Sequence, residues 1–275
     1  MKVKCPVCMH HCEIEEGRTG QCKARKNVQG KIVCGNYGKI TSYALDPIEK
    51  KPLQRFYPGS HILSLGSYGC NMSCSFCQNY MISTVGEGET DYGSMTPKEV
   101  IEEALDCRNQ GNIGIAYTYN EPLVGYEFVR DCAKLAREKG LKNVVVTNGC
   151  VEIEILEEIL PYIDAFNVDL KAFQNSFYEK AGGSLAMVKN FIVRAAKESH
   201  VEVTTLVIPG ENDSIEEIEE AAKWLASISP DIPYHITRFF PTWKMTDRAA
   251  TKIETVYSLV NTAKQYLNYV YAGNC

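Results

Sequence analysis

Short apolar runs alternate with amphipathic stretches along the chain from about residue 62 onward. The apolar runs predict strands at 62–66, 113–118, 143–147, 165–169, 201–208 and 234–240. The stretches between and after them repeat apolar residues at helical spacing and predict helices at 97–109, 123–138, 152–159, 185–197, 214–228 and 250–267. Strands that alternate with helices form a parallel sheet, because right-handed crossovers carry each helix over a face of the sheet.

The strand–helix units predict an α/β fold. They are fewer than the eight of a closed (β/α)8 barrel, so we expect a partial (β/α)6 barrel over residues 61–275. Residues 1–60 have a different composition, because they are rich in Cys, Gly and Lys and show no helical period. This composition is typical of short hairpins around a metal centre. We therefore predict a small cysteine-rich metal-binding module at 1–60 and a barrel domain at 61–275.

Composition and charge narrow the classes of function. Of 275 residues, 45% are hydrophobic and 23% are charged, which is ordinary for a globular protein. The net charge of -5 offers nothing general to attract nucleic acid or an anionic membrane. No apolar stretch approaches the roughly 18 residues of a membrane span, and Lys2 and Lys4 lead into cysteines rather than an apolar signal segment. We expect a cytoplasmic protein without nucleic-acid or membrane partners.

Seven of the twelve cysteines fall into two groups. In a chain without a signal segment, clustered cysteines indicate thiolate ligands for a metal or an iron–sulfur centre rather than disulfides. The first group is Cys5, Cys8, Cys12 and Cys22, a complete four-thiolate set for structural zinc or an auxiliary iron–sulfur cluster. Zinc is slightly favoured, because small domains use it to fold, although the spacing alone does not identify the metal. His10 and His11 lie inside the loop and could replace one cysteine.

The second group, Cys70, Cys74 and Cys77, has the spacing CxxxCxxC and directly follows the first predicted barrel strand. Three thiolates on one tight loop can hold three corners of a 4Fe–4S cluster. The missing fourth ligand leaves one iron with an open position, which is how a metal site keeps room for a substrate or a cofactor. A zinc knuckle with a remote fourth ligand is the alternative.

Further motifs accompany the two cysteine groups. They are Asp46–Leu53, Pro58–Ser60, Gly69–Asn71, Cys77–Asn79, Tyr117–Pro122, Thr147–Gly149 and Asp169–Lys171. With the CxxxCxxC loop, this set resembles the radical S-adenosylmethionine (SAM) superfamily. More narrowly it resembles the pyruvate formate-lyase activating enzyme branch, and within that the radical SAM member of the AmmeMemoRadiSam system.

The resemblance implies a 4Fe–4S cluster on Cys70, Cys74 and Cys77, with SAM chelating the fourth iron. Matched position by position, it implies SAM contacts at Phe76, Thr118, Asn120, Glu121, Thr147, Asn148, Asp169, Lys171 and Thr204. Most of these follow predicted strands, and parallel sheets bind ligands at the carboxyl ends of their strands. Tyr119 and Asn120 stand where relatives carry two glycines, so this sequence departs from the family pattern at that strand end.

Substrate contacts are predicted at Asn79, Arg238 and Trp243, which lie near the expected mouth of the barrel. Asn79 follows the cysteine loop, and an arginine can bind a carboxylate, a phosphate or a peptide group. His235 is expected toward the far end of the barrel, as a hydrogen-bonded core histidine.

The resemblance implies an oxidoreductase-like radical SAM enzyme of a reducing, anaerobic cytoplasm. A flavodoxin- or ferredoxin-type donor would supply an electron, reductive cleavage of SAM would give a 5′-deoxyadenosyl radical, and this radical would abstract hydrogen from an unresolved substrate. One alternative is a glycyl-radical activating enzyme, whose substrate is a partner protein. Another is a noncatalytic iron–sulfur electron-transfer module. The amino-terminal cysteines and Asp46–Leu53 favour the first interpretation, and the SAM-contact motifs argue against the last.

Overall fold

The computed structural model describes residues 1–275. Its amino-terminal part contains short antiparallel ribbons. They are β1 (Val3–Lys4) with β2 (Glu13–Ile14), β3 (Arg25–Val28) with β4 (Lys31–Cys34), and β5 (Lys39–Ile40) with β8 (Gly93–Ser94). The first two ribbons lie within residues 1–60, where short hairpins were predicted, whereas β5 pairs with a strand beyond that region.

An eight-stranded sheet forms the centre of the fold. Its strands are β6 (Ser42–Pro47), β7 (His61–Gly66), β9 (Asn112–Tyr117), β10 (Lys142–Thr147), β11 (Ala165–Asp169), β12 (His200–Val207), β13 (Tyr234–Arg238) and β14 (Val270–Gly273). The order across the sheet is β14-β13-β12-β11-β10-β9-β7-β6, and every pair is parallel except β6 with β7. The predicted α/β fold with a mostly parallel sheet is confirmed.

Helices connect the parallel strands and bury their apolar faces on the sheet. They are α1 (Tyr80–Ser83), α2 (Pro97–Asp106), α3 (Tyr126–Glu138), α4 (Ile153–Ile159), α5 (Asn175–Ala181), α6 (Leu185–Ala195), α7 (Ile215–Ile228) and α8 (Ile253–Ala263). Thr96 caps α2 in a reciprocal capping box with Glu99, and Pro97 occupies the first helical position. None of the helices combines the length and apolar content needed to cross a membrane.

Several elements were not predicted from the sequence, among them the short helix α1, strands β6 and β14, and helix α5. Strand β14 is short, α5 lies between two predicted elements, and β6 precedes the predicted module boundary yet pairs along its length with β7. The predicted strand 234–240 ends at Arg238, because the Phe239 N–H leaves the ladder and donates to the Thr251 hydroxyl. The division into two domains at residue 60 remains a prediction.

The sheet curves around a single large cavity, because residues at both of its edges line that cavity. Pro47 belongs to edge strand β6, and Tyr271 belongs to edge strand β14. A segment after β6 crosses beneath the amino-terminal ends of the strands. There Asn167 donates to the Pro52 carbonyl, and the backbone N–H groups of Gln54 and Arg55 donate to Glu202. The curved sheet is therefore open at its carboxyl-terminal end and has a floor at the other end.

Candidate functional site

The cavity has a volume of about 690 Å³, within the range of pockets that enclose small organic ligands. All three cysteines of the CxxxCxxC loop line it. So does every residue that the resemblance implied as a SAM contact, namely Phe76, Thr118, Asn120, Glu121, Thr147, Asn148, Asp169, Lys171 and Thr204. The structure thus brings together twelve residues that are spread from position 70 to position 204.

The cysteine loop presents its sulfur atoms to the cavity with hydrogen-bond donors around them. The Met72 N–H lies 3.3 Å from Cys70 Sγ, and the Ser83 hydroxyl lies 3.1 Å from Cys77 Sγ. Burial raises the pKa of the Cys70 and Cys74 thiols, so both are protonated in the metal-free protein at neutral pH. Thiols must lose those protons to become metal ligands, and the surrounding donors suit the resulting thiolates.

A buried cation lies next to the cysteine loop. Lys171 Nζ donates to Asp169 Oδ2 at 2.9 Å. Burial lowers the pKa of Lys171, but the Asp169 carboxylate and the Cys74 thiol outweigh burial and hold the pKa well above its usual value. The ammonium therefore stays charged beside the sulfur atoms. Three thiols, an ammonium and a carboxylate facing one cavity are a donor set that fits a thiolate-bound cluster with a zwitterionic ligand beside it.

Glu121 joins two strand-end loops of the cavity. Its carboxylate accepts hydrogen bonds from the Leu123 N–H at 2.9 Å, the Thr147 hydroxyl at 2.8 Å and the Asn148 N–H at 2.7 Å. The side chain is 2% exposed, and burial raises its pKa to about 7. Since this carboxylate is enclosed by donors from its own loop and the next one, it fixes the two loops against each other.

The backbone at Tyr119 has φ of 70°, a left-handed conformation that glycine adopts at less cost. The phenol of Tyr119 donates to Asp46 Oδ2 at 2.7 Å, and Lys51 Nζ donates to the same atom at 2.8 Å. Burial raises the pKa of Asp46, but these two partners outweigh burial and hold it well below its usual range. The conformation expected of the absent glycine is thus kept, and the tyrosine is anchored to the Asp46–Leu53 stretch.

The four amino-terminal cysteines are neighbours, because the pKa of Cys8, raised to about 12 mainly by burial, is also raised by each of the Cys22, Cys5 and Cys12 thiols. The Gln21 N–H points to Cys12 Sγ at 3.5 Å, and the Arg25 N–H points to Cys22 Sγ at 3.4 Å. No three Cys, His, Asp or Glu side chains converge closely enough in this structure to hold a single metal ion, so the four thiols would have to move closer together to bind one.

Arg25 is buried among these thiols. Its guanidinium pairs with Glu127 at 2.6 Å, and its Nε is the only fully buried side-chain nitrogen or oxygen without a hydrogen-bond partner. The Cys5 thiol lies close enough to Arg25 for the guanidinium to favour the thiolate, although burial has the larger effect and raises the pKa of Cys5. A buried cation with an unused donor suits a site that carries negative charge when it is filled.

The amino-terminal segment also touches the CxxxCxxC loop on both sides of Cys70. His10 Nε2 lies 2.7 Å from the Asn71 carbonyl oxygen. Gly69 has φ of +89°, and a Cβ atom there would lie 2.4 Å from the Cys22 carbonyl oxygen. Glycine is therefore required before Cys70, both by the backbone angle and by the close packing.

The predicted substrate residues are divided. Asn79 lines the cavity and donates to the Tyr119 carbonyl at 2.7 Å. Arg238 donates to the Thr251 carbonyl instead, and Trp243 stacks on Tyr80 with ring centroids 5.5 Å apart. Neither Arg238 nor Trp243 lines the cavity.

Two residues that were not predicted do line the cavity, His235 and Thr237. Side chains alternate between the faces of a strand, so these two point inward while Arg238 points outward. The alternation of polar residues with Ile236 was the available signal, since it places His235 and Thr237 on one face. His235 is hydrogen-bonded, as expected, but it faces the same cavity as Thr204.

Comparisons with known proteins agree with this geometry. The family model described as Radical SAM superfamily matches residues 65–225. An uncharacterized protein of Methanocaldococcus jannaschii is 41% identical and is aligned over 99% of this chain and 81% of its own length. The indoleacetate decarboxylase activating enzyme of Tractidigestivibacter scatoligenes is 23% identical over 94% of this chain and 80% of its own length. Streptococcus suis SuiB bound to S-adenosylmethionine superposes with a TM-score of 0.61 at 13% identity, over 78% of this chain and 52% of SuiB, and it shares the fold.

Proposed function

The chain belongs to the radical SAM superfamily, and on this premise we propose that Cys70, Cys74 and Cys77 hold a 4Fe–4S cluster beside a bound SAM. The observation that carries the proposal is the convergence of the three thiols with the nine implied SAM contacts on one cavity. SAM and the 4Fe–4S cluster are the cofactors of this enzyme class. Once a reductant has given the cluster an electron, the two cofactors would supply the 5′-deoxyadenosyl radical that abstracts hydrogen from a substrate.

The protein's own groups would bind and orient these cofactors. Lys171 would pair with the carboxylate of SAM, and Asp169 would accept hydrogen bonds from the two ribose hydroxyls. Their existing ion pair at 2.9 Å holds the ammonium and the carboxylate in place before SAM binds, which lowers the entropy cost of ordering them. Glu121 would hold the strand-end loops in register through its three donors. Phe76, which is 7% exposed, would shield one side of the ligand from water.

The chain is an enzyme of the radical SAM class, and we propose that it is of the AmmeMemoRadiSam type, abstracting hydrogen from an unresolved substrate with a flavodoxin- or ferredoxin-type reductant. A second candidate is the activation of a glycyl-radical enzyme, in which the substrate is a partner protein. The relative named indoleacetate decarboxylase activating enzyme supports this second candidate, because it matches 94% of the chain.

The test is anaerobic reconstitution with iron and sulfide, followed by dithionite and SAM, with 5′-deoxyadenosine as the product measured. Cys77→Ala should abolish production. Cys107→Ala is the matched control, because Cys107 is also a partly exposed thiol but lies outside the cavity. Wild-type protein that binds a cluster and never cleaves SAM would contradict the enzyme interpretation and favour an electron-transfer module.

We also propose that Cys5, Cys8, Cys12 and Cys22 hold a second metal centre. The N–H groups directed at Cys12 and Cys22 and the buried Arg25 guanidinium support this proposal. Iron and zinc analysis of purified wild type and Cys8→Ala identifies the metal, since the variant should lose the metal of that site. Equal metal content in the two proteins would refute the proposal.

A further inference from the structure

A row of polar side chains crosses the inner face of the sheet from the predicted SAM contacts to the sheet edge. Asp169 is in register with Thr204, Thr204 with His235, and His235 with Tyr271. All four line the cavity. Neighbouring strands are about 4.8 Å apart, so His235 lies two strands, or about 10 Å, beyond Asp169. This half of the cavity contains none of the residues that the resemblance assigned to SAM beyond Thr204.

His235 is held by one ring nitrogen only. Its Nε2 lies 2.6 Å from Glu202 Oε2, and Glu202 is 0% exposed. The same carboxylate accepts hydrogen bonds from His200 Nε2 at 2.9 Å and from the N–H groups of Gln54 and Arg55. Burial raises the pKa of Glu202, but these partners outweigh burial and lower it to about 2. An ionised carboxylate only accepts, so the proton of a neutral His235 resides on Nε2.

The other nitrogen of His235, Nδ1, has no protein partner. Arg25 Nε is the only fully buried side-chain polar atom in that condition, so Nδ1 must be open to the cavity that His235 lines. One step further along β13, the Thr237 hydroxyl donates to the Thr205 carbonyl and keeps its oxygen lone pairs available. Two hydrogen-bond acceptors therefore face this part of the cavity. The strand residues that line it there, from Thr204 to Tyr271, include no acidic or basic side chain other than His235 itself, and the Glu49 and Lys50 side chains that line the cavity from the segment after β6 carry opposite charges.

We propose that this wall of the cavity, with His235 Nδ1 at its centre, is the substrate site, and that it binds an uncharged group bearing a hydroxyl or an N–H. Glu202 is the positioning residue that orients the imidazole. The Tyr271 ring, stacked on the imidazole with centroids 5.3 Å apart, limits its rotation from the edge strand. That this is a substrate site rests on the proposed function. The kind of group it binds follows from the two hydrogen-bond acceptors alone.

The test is a titration of the full-length, iron- and sulfide-loaded protein carrying 15N-labelled histidine, followed by long-range 1H–15N NMR at pH 8. The probes are glycerol for a hydroxyl, N-methylacetamide for a peptide N–H, and acetate for an anion. The His235 signals are those missing from His235→Gln. We expect an unprotonated Nδ1, a shift of that signal with glycerol or N-methylacetamide, and no shift with acetate. The neutral probe that binds more tightly identifies the substrate class.

Two glutamine variants provide the matched control. In His235→Gln the amide can still donate to Glu202, but no acceptor takes the position of Nδ1, so probe binding, followed here by the NMR signals of the probes themselves, should weaken about tenfold, as expected for one lost hydrogen bond. His200→Gln alters the other imidazole on the same carboxylate, which lies outside the cavity, and it should bind the probes as wild type does. The inference would be overturned if His235→Gln bound the probes as tightly as wild type does, or if Nδ1 were protonated. It would also be overturned if neither neutral probe shifted the His235 signals, or if acetate bound more tightly than the neutral probes.

The NMR readout does not depend on SAM cleavage. Probe binding at His235 in a protein that never produces 5′-deoxyadenosine would refute the proposed function while leaving the site in place. Normal 5′-deoxyadenosine production without probe binding would refute only the site.

Discussion

Two glutamates are buried beside the cavity, one near each end of the strands, and their pKa values shift in opposite directions. Glu121 follows β9 and is 2% exposed, and Glu202 near the start of β12 is 0% exposed. Burial raises the pKa of Glu121 to about 7. Burial acts in the same direction on Glu202, but its hydrogen bonds outweigh burial and bring the pKa down to about 2. Burial alone therefore does not decide whether a carboxylate in this fold is charged.

The difference lies in the donors. Glu121 accepts from two backbone N–H groups and one hydroxyl, all neutral, and the nearby Asp169 carboxylate disfavours a second negative charge. Glu202 accepts from two backbone N–H groups and two imidazoles, each of which can become a cation. Hydrogen bonds from groups that can carry positive charge stabilise a carboxylate more than those from neutral groups. At neutral pH one end of the cavity is consequently ordered around the ionised carboxylate of Glu202, and the other end around the partly protonated carboxyl group of Glu121.

The largest expected effect comes from replacing the two glutamates separately. Glu202→Gln should lower the free energy of unfolding at pH 7 by about 3–5 kcal/mol, because it leaves four donors facing an amide that donates as well as accepts. Glu121→Gln should cost about 1–2 kcal/mol, because glutamine resembles the half-protonated carboxyl. Urea denaturation of both variants measures the two losses. Equal losses of unfolding free energy in the two variants would contradict the proposed difference between the two glutamates.

The acid side of the stability profile should carry the signature of Glu202. Its pKa is lowered in the folded chain, so its stabilisation is present above pH 4.5 and is lost as pH falls toward 2. Wild type should lose about 3 kcal/mol from this group in that window, and Glu202→Gln should lack that loss. The measurement is urea denaturation of both proteins between pH 2 and pH 5. Parallel profiles would show that Glu202 does not titrate as proposed.

Glu121 should have the opposite signature at higher pH. Its pKa is raised in the folded chain, so its stabilisation is present below pH 4.5 and is lost as pH rises through 7. The stability of wild type relative to Glu121→Gln should fall by about 3 kcal/mol between pH 4.5 and pH 7 in the cofactor-free protein. A difference that stays constant across this range would mean that Glu121 is ionised throughout.

The smallest change removes one donor. Thr147→Val deletes the hydroxyl that lies 2.8 Å from Glu121, so it should cost about 1 kcal/mol and raise the pKa of Glu121 further. Carboxyl NMR and urea denaturation report the two effects. Thr118→Val is the control, because Thr118 ends the neighbouring strand segment and is buried, but its hydroxyl does not bond Glu121. A similar rise in the pKa of Glu121 in both variants would show that the hydroxyl is not the cause.

Much of this fold could be predicted from periodicity. All six predicted strands occur, with most boundaries shifted by a residue or two, because long buried runs between amphipathic helices leave few alternatives. Strand β14 was missed because Val270–Gly273 is too short to show a period, and its register with β13 makes it a strand. Strand β6 was missed as well, and it is likewise defined by its pairing, in this case with β7.

Site residues could be predicted where a motif directly follows a strand. They could not be predicted where the direction of a side chain decides whether it lines the cavity. Asp169 and Lys171 line the cavity because they follow a strand whose carboxyl end opens there. Arg238 and Trp243 also lie beyond a strand's midpoint, but distance along the chain does not tell which face a side chain takes. The inward direction of His235 follows from register with Thr204, which no single segment of sequence contains.

The contacts of the amino-terminal segment on either side of Cys70 have a consequence for cofactor assembly. His10 holds Asn71, and the backbone of Cys22 packs against Gly69, so both neighbours of Cys70 are restrained by residues from the four-cysteine region. Ordering that region by a metal would narrow the conformations available to Cys70 before any iron reached it. Filling of the two cysteine groups should then be positively cooperative, with the first metal lowering the entropy lost in binding the second.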